Sequence, residues 1–275
     1  MNSEVLLFWI SFWLYVGGFL CFAIYIGLEN KVLSLLGSAL MYVGFIPHTI
    51  ALGLRWKLSG HPPFTNSFEY MSVMSWASVL AFIVLLGRFK RPIIGAFIAP
   101  FAFLLLAIAS LFPADISQQL VPALQSYWLY IHVSVTALGS GVFAMAFGIS
   151  VLYLLRSRFE QRSGRQSAFW DRMPSLETLD ELNYKSVAVG FLLFTVGALF
   201  AGAIWAHYAW GTFWGWDPKE VGSLIIWLFY AGYLHARYQR DWRGRRAAWM
   251  SILGFLMILL SFAGNNFLGG QHAYG

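Results

Sequence analysis

Eight apolar segments of membrane-spanning length follow one another along this chain of 275 residues. A helix needs about 20 apolar residues to cross a bilayer core of roughly 30 Å. The composition, 59% hydrophobic and 11% charged, also lies outside the range of soluble domains. The sequence therefore predicts an all-α polytopic membrane protein with a single transmembrane domain, residues 1–275. The predicted spans are 5–27, 32–54, 68–87, 92–112, 127–155, 186–208, 221–237 and 247–268.

The distribution of basic residues predicts the orientation, because Lys and Arg are retained in cytoplasmic loops. The loops after predicted spans one, three, five and seven hold 15 of the 18 Lys and Arg residues. Both termini and the tryptophan-rich segment, residues 205–220, are therefore predicted on the extracytoplasmic side. The net charge of +6 comes from these short loops, so it indicates membrane topology and not nucleic-acid binding.

The predicted cytoplasmic loop 156–185 is the longest connection and the only one with the composition of a soluble protein. Its stretch SLETLDELNY, residues 175–184, mixes acidic and apolar residues. This pattern predicts a short helix lying at the membrane surface.

The tryptophan-rich segment holds four indoles within twelve residues, at Trp205, Trp210, Trp214 and Trp216. Indoles favour the membrane interface, so an anchoring belt is one interpretation, although a belt is normally spread over several helix ends. The density of the cluster favours a flat aromatic surface that binds a planar, largely apolar ligand. Asp217 follows the cluster and precedes Pro218, which predicts an N-cap for the next helix.

Two histidines are predicted near the outer side, His132 in the fifth span and His272 after the eighth. Two neutral imidazoles can hold the iron of a planar ring from its two faces, which is a bis-histidine haem site. From the residues alone, ligation and ordinary hydrogen bonding remain equally open for this pair. The single cysteine, Cys21, excludes a C-x-x-C-H attachment site for haem in this chain.

The other four histidines lie at different predicted depths. His235 is roughly 21 Å below the outer surface and His48 about 25 Å from the inner face, so they are not expected to share one haem. A ligand partner for His235 would then come from another chain. We expect a helix–helix hydrogen bond for His48, a loop position for His61 and a helix-capping role for His207.

Four separated motifs resemble the CcsA family of cytochrome c biogenesis proteins, also called CcsB or ResC. They are GHPPFTNSFE at 60–69, LETLDELNY at 176–184, WGTFWGWDPKE at 210–220 and GNNFLGGQHAYG at 264–275. The tryptophan-rich segment is also similar to that of the wider haem-handling superfamily that includes CcmC and CcmF. His207 departs from the family pattern, where a residue that does not bind iron is more usual.

The resemblance implies the membrane subunit of a cytochrome c synthase. Such a subunit delivers haem b, as substrate and bound ligand, to the extracytoplasmic side for thioether attachment to the C-x-x-C-H segment of apocytochrome c. It implies a ResB-like (Ccs1) membrane partner and a location in the bacterial cytoplasmic membrane or the plastid thylakoid membrane. Carried over residue by residue, it assigns His132 and His272 to the external haem iron, His235 to the iron of an intramembrane haem, and Trp210, Trp214, Trp216 and Asp217 to the tryptophan platform.

Two further points remain open from the sequence. The haem propionates need a cationic partner, and the external cations are Arg55, Lys57 and Lys219. No catalytic nucleophile or acid–base pair is evident, so the status of the protein as an enzyme depends on whether positioning alone suffices. The alternatives are a bis-histidine electron-transfer cytochrome and a transporter of another planar substrate.

Overall fold

The computed structural model describes residues 2–28, 30–89, 95–116, 120, 122–163 and 174–268. Its described residues form helices joined by short connections. The helices are α1 (Ser3–Leu28), α2 (Lys31–Ser59), α3 (Ser67–Phe89), α4 (Gly95–Ala109), α5 (Tyr127–Ser163), α6 (Leu176–Phe194), α7 (Gly202–Trp210), α8 (Pro218–Gln239) and α9 (Arg245–Leu268). A 3-10 turn covers Pro122–Leu124, and a π-helical segment, Thr195–Ala201, joins α6 to α7.

The all-α membrane class is confirmed, and within the described residues every predicted span coincides with helix except at 110–112, just after α4. Five described stretches are long and apolar enough to cross a membrane, with a shorter apolar helix at Ile98–Ala109. The five stretches are Ser3–Leu28, Lys31–Ser59, Ser67–Val84, Tyr127–Gln161 and Leu176–Trp210. The crossing of α8 and α9, the total of eight spans and the side of each terminus stay predictions.

Local sequence signals explain where several helices begin and end. The Asn30 side chain accepts a hydrogen bond from the Val32 backbone N–H and caps α2. Gly60, with φ 78°, ends α2 in the left-handed conformation that glycine adopts without strain. Gly211, with φ 80°, ends α7 in the same way.

Helix α5 is the centre of the bundle. With 37 residues it is about 55 Å long at a rise of 1.5 Å per residue. It packs against α3 and α4 on one side and against α6, the π-helical segment and α9 on the other. One buried cluster of hydrophobic side chains forms around α1, α3, α4 and α5, and a second forms around α5, α6, α8 and α9.

The expectation of a separate surface helix at SLETLDELNY is wrong. Residues 176–184 are the first turns of α6, which continues without a break to Phe194. Leu179, Leu182 and Asn183 are buried, and Asp180 forms an ion pair with Arg237 of α8 at 2.6 Å. The apolar positions of this stretch therefore face the bundle and not a membrane surface.

Candidate functional site

A cavity of about 580 Å³ opens at the end of the bundle that carries the tryptophan-rich segment. Its volume lies in the range of about 300–1,000 Å³ that is typical of small-molecule sites. Residues from every helix between α3 and α9 line it, and residues 64–66 before α3 contribute as well. Among the residues singled out in the sequence, His132, Trp205, Trp214 and Lys219 lie in its wall.

His132 lies in the second turn of α5 and has its two ring nitrogens in different situations. Its Nδ1 is 2.9 Å from the carbonyl oxygen of Gly197. Because a carbonyl only accepts hydrogen bonds, Nδ1 carries the proton and Nε2 carries the lone pair. The described part of the chain provides no hydrogen-bond partner for Nε2. Histidines that bind metals commonly donate their other N–H in this way, so His132 fits an iron ligand.

The indole of Trp205 fixes the plane of the His132 ring. The two rings are parallel within 6°, with centroids 5.7 Å apart. Trp205 is almost fully buried, in a cluster with Leu129 and Val133 on the same face of α5 as His132. The imidazole is therefore held by a hydrogen bond at one edge and by stacking on one face.

The π-helical segment presents the carbonyl that His132 uses. The Gly197 oxygen accepts the backbone N–H of Gly202, five residues later, as well as Nδ1 of His132. A Cβ atom at Gly202 would lie 3.0 Å from both Nδ1 and Cε1 of the imidazole. Sequence reasoning missed this segment, because a π turn has the same apolar composition as the helix around it. In the sequence, Gly197 and Gly202 were the only available signal of the π-helical segment.

The prediction of one flat aromatic surface is wrong. Trp210 meets Trp205 at 67° with centroids 4.8 Å apart, and Trp214 meets Trp216 at 88° and 5.8 Å. Trp214 lines the cavity, whereas Trp216 is 71% exposed and has a positive φ of 58°. Edge-to-face contacts between neighbouring indoles are favourable, so each pair meets at a steep angle and the four rings do not share one plane.

The prediction that Asp217 caps a helix is confirmed. Its carboxylate accepts the backbone N–H of Lys219 at 3.0 Å, and Pro218 occupies the first helical position. In return, Glu220 Oε2 accepts the backbone N–H groups of Asp217 at 3.2 Å and of Gly215 at 2.8 Å. This capping box fixes the turn that places Lys219 and Glu220 in the cavity wall.

The three candidate cations differ in their surroundings. Arg55 is only 2% exposed; its Nε lies 2.7 Å from Glu69 Oε1, and its two Nη atoms donate to the carbonyls of Ala114 and Asp115. Lys57 is exposed in the last turn of α2 and does not line the cavity. Lys219 is the candidate that the structure brings to the same cavity as His132.

Three other histidines have contacts that account for them. His48 bridges helices, with Nδ1 3.2 Å from the Tyr15 hydroxyl and Nε2 3.1 Å from the Ser72 hydroxyl, as expected. His61 is buried in the loop after α2. The exposed His207 stacks on Phe213 at 4.3 Å, and its carbonyl oxygen accepts the backbone N–H of Gly211 at the end of α7.

His235 is not joined to this arrangement. His235 is exposed on α8 and does not line the cavity. His272 lies outside the described residues. The structure thus brings His132 together with Trp205, Trp214 and Lys219 in one cavity wall.

Comparisons with known proteins identify the family of this chain. The family described as cytochrome C assembly protein matches residues 64–272. The cytochrome c biogenesis protein CcsA of Guillardia theta is 38% identical over 259 residues, covering 85% of this chain and 86% of that protein. The CcsA of Prochlorococcus marinus (strain MIT 9303) is 36% identical over 294 aligned residues, covering 97% and 88%.

A solved structure shares the fold. The chain described as cytochrome c heme lyase CcmF superposes with a TM-score of 0.72 over 95% of this chain, at 16% sequence identity. The aligned region is 46% of that protein, so this chain spans about half its length.

Proposed function

This chain belongs to the cytochrome c assembly protein family, and from that premise we propose that it is the membrane subunit of a cytochrome c synthase. It would deliver haem b to the extracytoplasmic side and present it for thioether attachment to the C-x-x-C-H segment of apocytochrome c. The observation that carries this proposal is His132, a cavity-lining imidazole whose Nδ1 proton is already donated to Gly197. The haem is the substrate of the reaction and not a permanent cofactor.

The two axial ligands of the external haem would be His132 and His272. A lone pair on Nε2 of His132 is what a ferrous or ferric iron requires. Helix α9, which precedes His272 in the chain, contributes Ile258 and Ser261 to the wall of the same cavity. This continuity supports the pairing of the two residues.

The tryptophan platform would surround the porphyrin with indoles at different angles. Trp214 lines the cavity, while Trp210 supports Trp205 behind His132. Trp216 is exposed beside Trp214, where the incoming apocytochrome would approach. Asp217 would support this platform indirectly, because it caps α8 and so fixes the backbone next to Trp216.

Lys219 is the external cation that we assign to a haem propionate. It lines the cavity, whereas Arg55 already has an ion pair and two carbonyl partners. A charge-assisted hydrogen bond from an ammonium group to a carboxylate is among the stronger polar contacts in proteins. It would fix the haem by one edge and leave the vinyl edge open to the substrate thiols.

Thioether formation adds a thiol across a vinyl group, so positioning accounts for much of the rate enhancement needed. We propose that a ResB-like (Ccs1) membrane protein completes the synthase, in the bacterial cytoplasmic membrane or the plastid thylakoid membrane. The exposed position of His235 on α8 suits a haem ligand shared with such a partner chain. Residues 1–275 would act as one haem-handling domain, with the tryptophan-rich segment outside and the segment 156–185, which includes the end of α5 and the start of α6, on the cytoplasmic side.

The visible spectrum of the protein, purified with its ResB-like partner, tests the proposal. We expect His132→Gly and His272→Gly to lose the external haem and added imidazole to restore it, because imidazole replaces the missing ligand. His48→Ala is the matched control, since both nitrogens of His48 already bond to neighbouring hydroxyls. We expect its spectrum to be nearly unchanged.

Different results would favour the alternatives. A purified complex without a Soret band would support a transporter of a non-metal planar substrate. A normal bis-histidine spectrum without any transfer of haem to a C-x-x-C-H apocytochrome would support an electron-transfer cytochrome.

A further inference from the structure

A hydrogen-bonded path leads from α8 to the π-helical segment, outside the cavity wall. The hydroxyl of Thr195, the first residue of that segment, donates to the carbonyl of Phe191 at 2.7 Å. The same hydroxyl oxygen accepts the indole N–H of Trp227 at 2.9 Å. The Trp227 indole also stacks on Phe191, with centroids 5.4 Å apart. Neither Trp227 nor Thr195 lines the cavity.

These contacts lie at the point where the helix changes its hydrogen-bonding pattern. An isolated π turn is less stable than α-helix and persists where surrounding contacts hold it. Thr195 bonds back to residue 191 as threonine does in an α-helix, and Trp227 ties that hydroxyl to the neighbouring helix α8. Two residues later, Gly197 turns its carbonyl toward His132 of α5.

The space around Gly197 is tight. A Cβ atom at Gly197 would lie 2.5 Å from the backbone nitrogen of Thr136 and 2.9 Å from its hydroxyl oxygen. The Thr136 hydroxyl in turn donates to the carbonyl of His132 at 2.6 Å. A change in the path of the π-helical segment therefore changes the geometry at His132 directly.

We propose that Trp227 and Thr195 are positioning residues for His132: they hold the π-helical segment so that the Gly197 carbonyl accepts the His132 Nδ1 proton. This inference rests on the proposed function, in which His132 binds haem iron through Nε2. The hydrogen bond at Nδ1 keeps the ring in one tautomer and makes it a stronger donor to iron. Loss of the Trp227–Thr195 bond lets the segment relax toward α-helix and withdraws the carbonyl.

The test uses conservative variants of the full protein, purified with its ResB-like partner. Trp227→Phe keeps an aromatic ring against Phe191 but removes the indole N–H. Thr195→Val keeps the shape of the side chain but removes the hydroxyl, and Thr195→Ser retains the hydroxyl. Trp249→Phe is the matched control, because Trp249 is half-exposed on α9, away from these contacts.

The reduction midpoint potential of the external haem and its rate of loss to apomyoglobin are the readouts. We expect Trp227→Phe and Thr195→Val to shift the potential to more positive values, since a weaker axial donor stabilises ferric iron less. We expect haem to be held about tenfold less tightly, as for the loss of other hydrogen bonds to metal-binding histidines. The double variant should match the single ones, and Thr195→Ser and Trp249→Phe should behave as wild type.

An unchanged potential and haem affinity in both Trp227→Phe and Thr195→Val would overturn this inference. The His132→Gly variant with and without imidazole separates that result from a failure of the proposed function. One outcome is that imidazole rescue shows that His132 binds iron while Trp227→Phe and Thr195→Val leave the potential and the haem affinity unchanged. In that case the inference alone is wrong. If His132→Gly has no effect on the haem, both are wrong.

Discussion

At the scale of the residue, His132 and His48 show what a sequence predicts about an imidazole and what it does not. Both positions follow from the spacing of the apolar segments. Their roles depend on partners from other helices: His48 has hydroxyls at both nitrogens, whereas His132 has a carbonyl at one nitrogen only. The tautomer of a histidine is set by these distant partners, so spacing along one helix does not predict it.

A residue-scale prediction concerns Lys219. Lys219→Met removes the ammonium group and keeps a side chain of similar length, so it should weaken haem retention about tenfold if one charge-assisted hydrogen bond to a propionate is lost. The rate of haem transfer to apomyoglobin measures this effect. Lys57→Met is the control, since Lys57 is exposed and does not line the cavity. Equal rates for the two variants would remove Lys219 from the site.

At the scale of the element, apolar segments predict well that a helix exists. They predict poorly how far that helix extends beyond the apolar residues. The first turns of α6 contain Asp180 and Glu181, which gave this stretch the appearance of a surface helix. The ion pair between Asp180 and Arg237 allows the charged turn to pack inside the bundle. The π-helical segment was missed for a related reason, because its hydrogen bonds to His132 of α5 and Trp227 of α8 join residues far apart in the sequence.

The helix cap at Asp217 yields an element-scale prediction. Asp217→Ala should lower the free energy of unfolding by about 1 kcal/mol, the usual effect of losing an N-cap side chain. Asp217→Asn, which caps nearly as well, should retain most of the stability. Thermal unfolding of the complex in detergent measures both variants. A loss of haem binding in Asp217→Asn with normal stability would mean that the carboxylate contacts the haem itself.

At the scale of the whole molecule, one buried ion pair joins separate parts of the chain around the cavity. Arg55 of α2 binds Glu69 of α3 and two carbonyls in the segment after α4. Glu69 also accepts the backbone N–H and the hydroxyl of Thr65, which lines the cavity. The sequence alone presented Arg55 as a free cation, because nothing in a single sequence pairs residues on different helices.

Removing one member of this pair should destabilise the entire bundle. Arg55→Met leaves the Glu69 carboxylate buried without its cation, and such a loss lowers stability by about 3–5 kcal/mol. Glu160→Gln, which breaks the more exposed Arg156–Glu160 pair, should change stability by about 1 kcal/mol or less. Thermal unfolding of both variants makes the comparison. Similar stabilities would mean that the Arg55 pair does not hold the bundle together.

The hydrogen-bond partner of His132 is a backbone carbonyl, and this affects how the contact responds to a change in pH. A carboxylate in the same place would take up a proton as the surrounding compartment became acidic, and the orientation of the imidazole would change with it. The amide carbonyl of Gly197 has no proton to gain over that range and no side chain to lose by substitution. The hydrogen bond that orients the imidazole therefore does not depend on the protonation state of its partner.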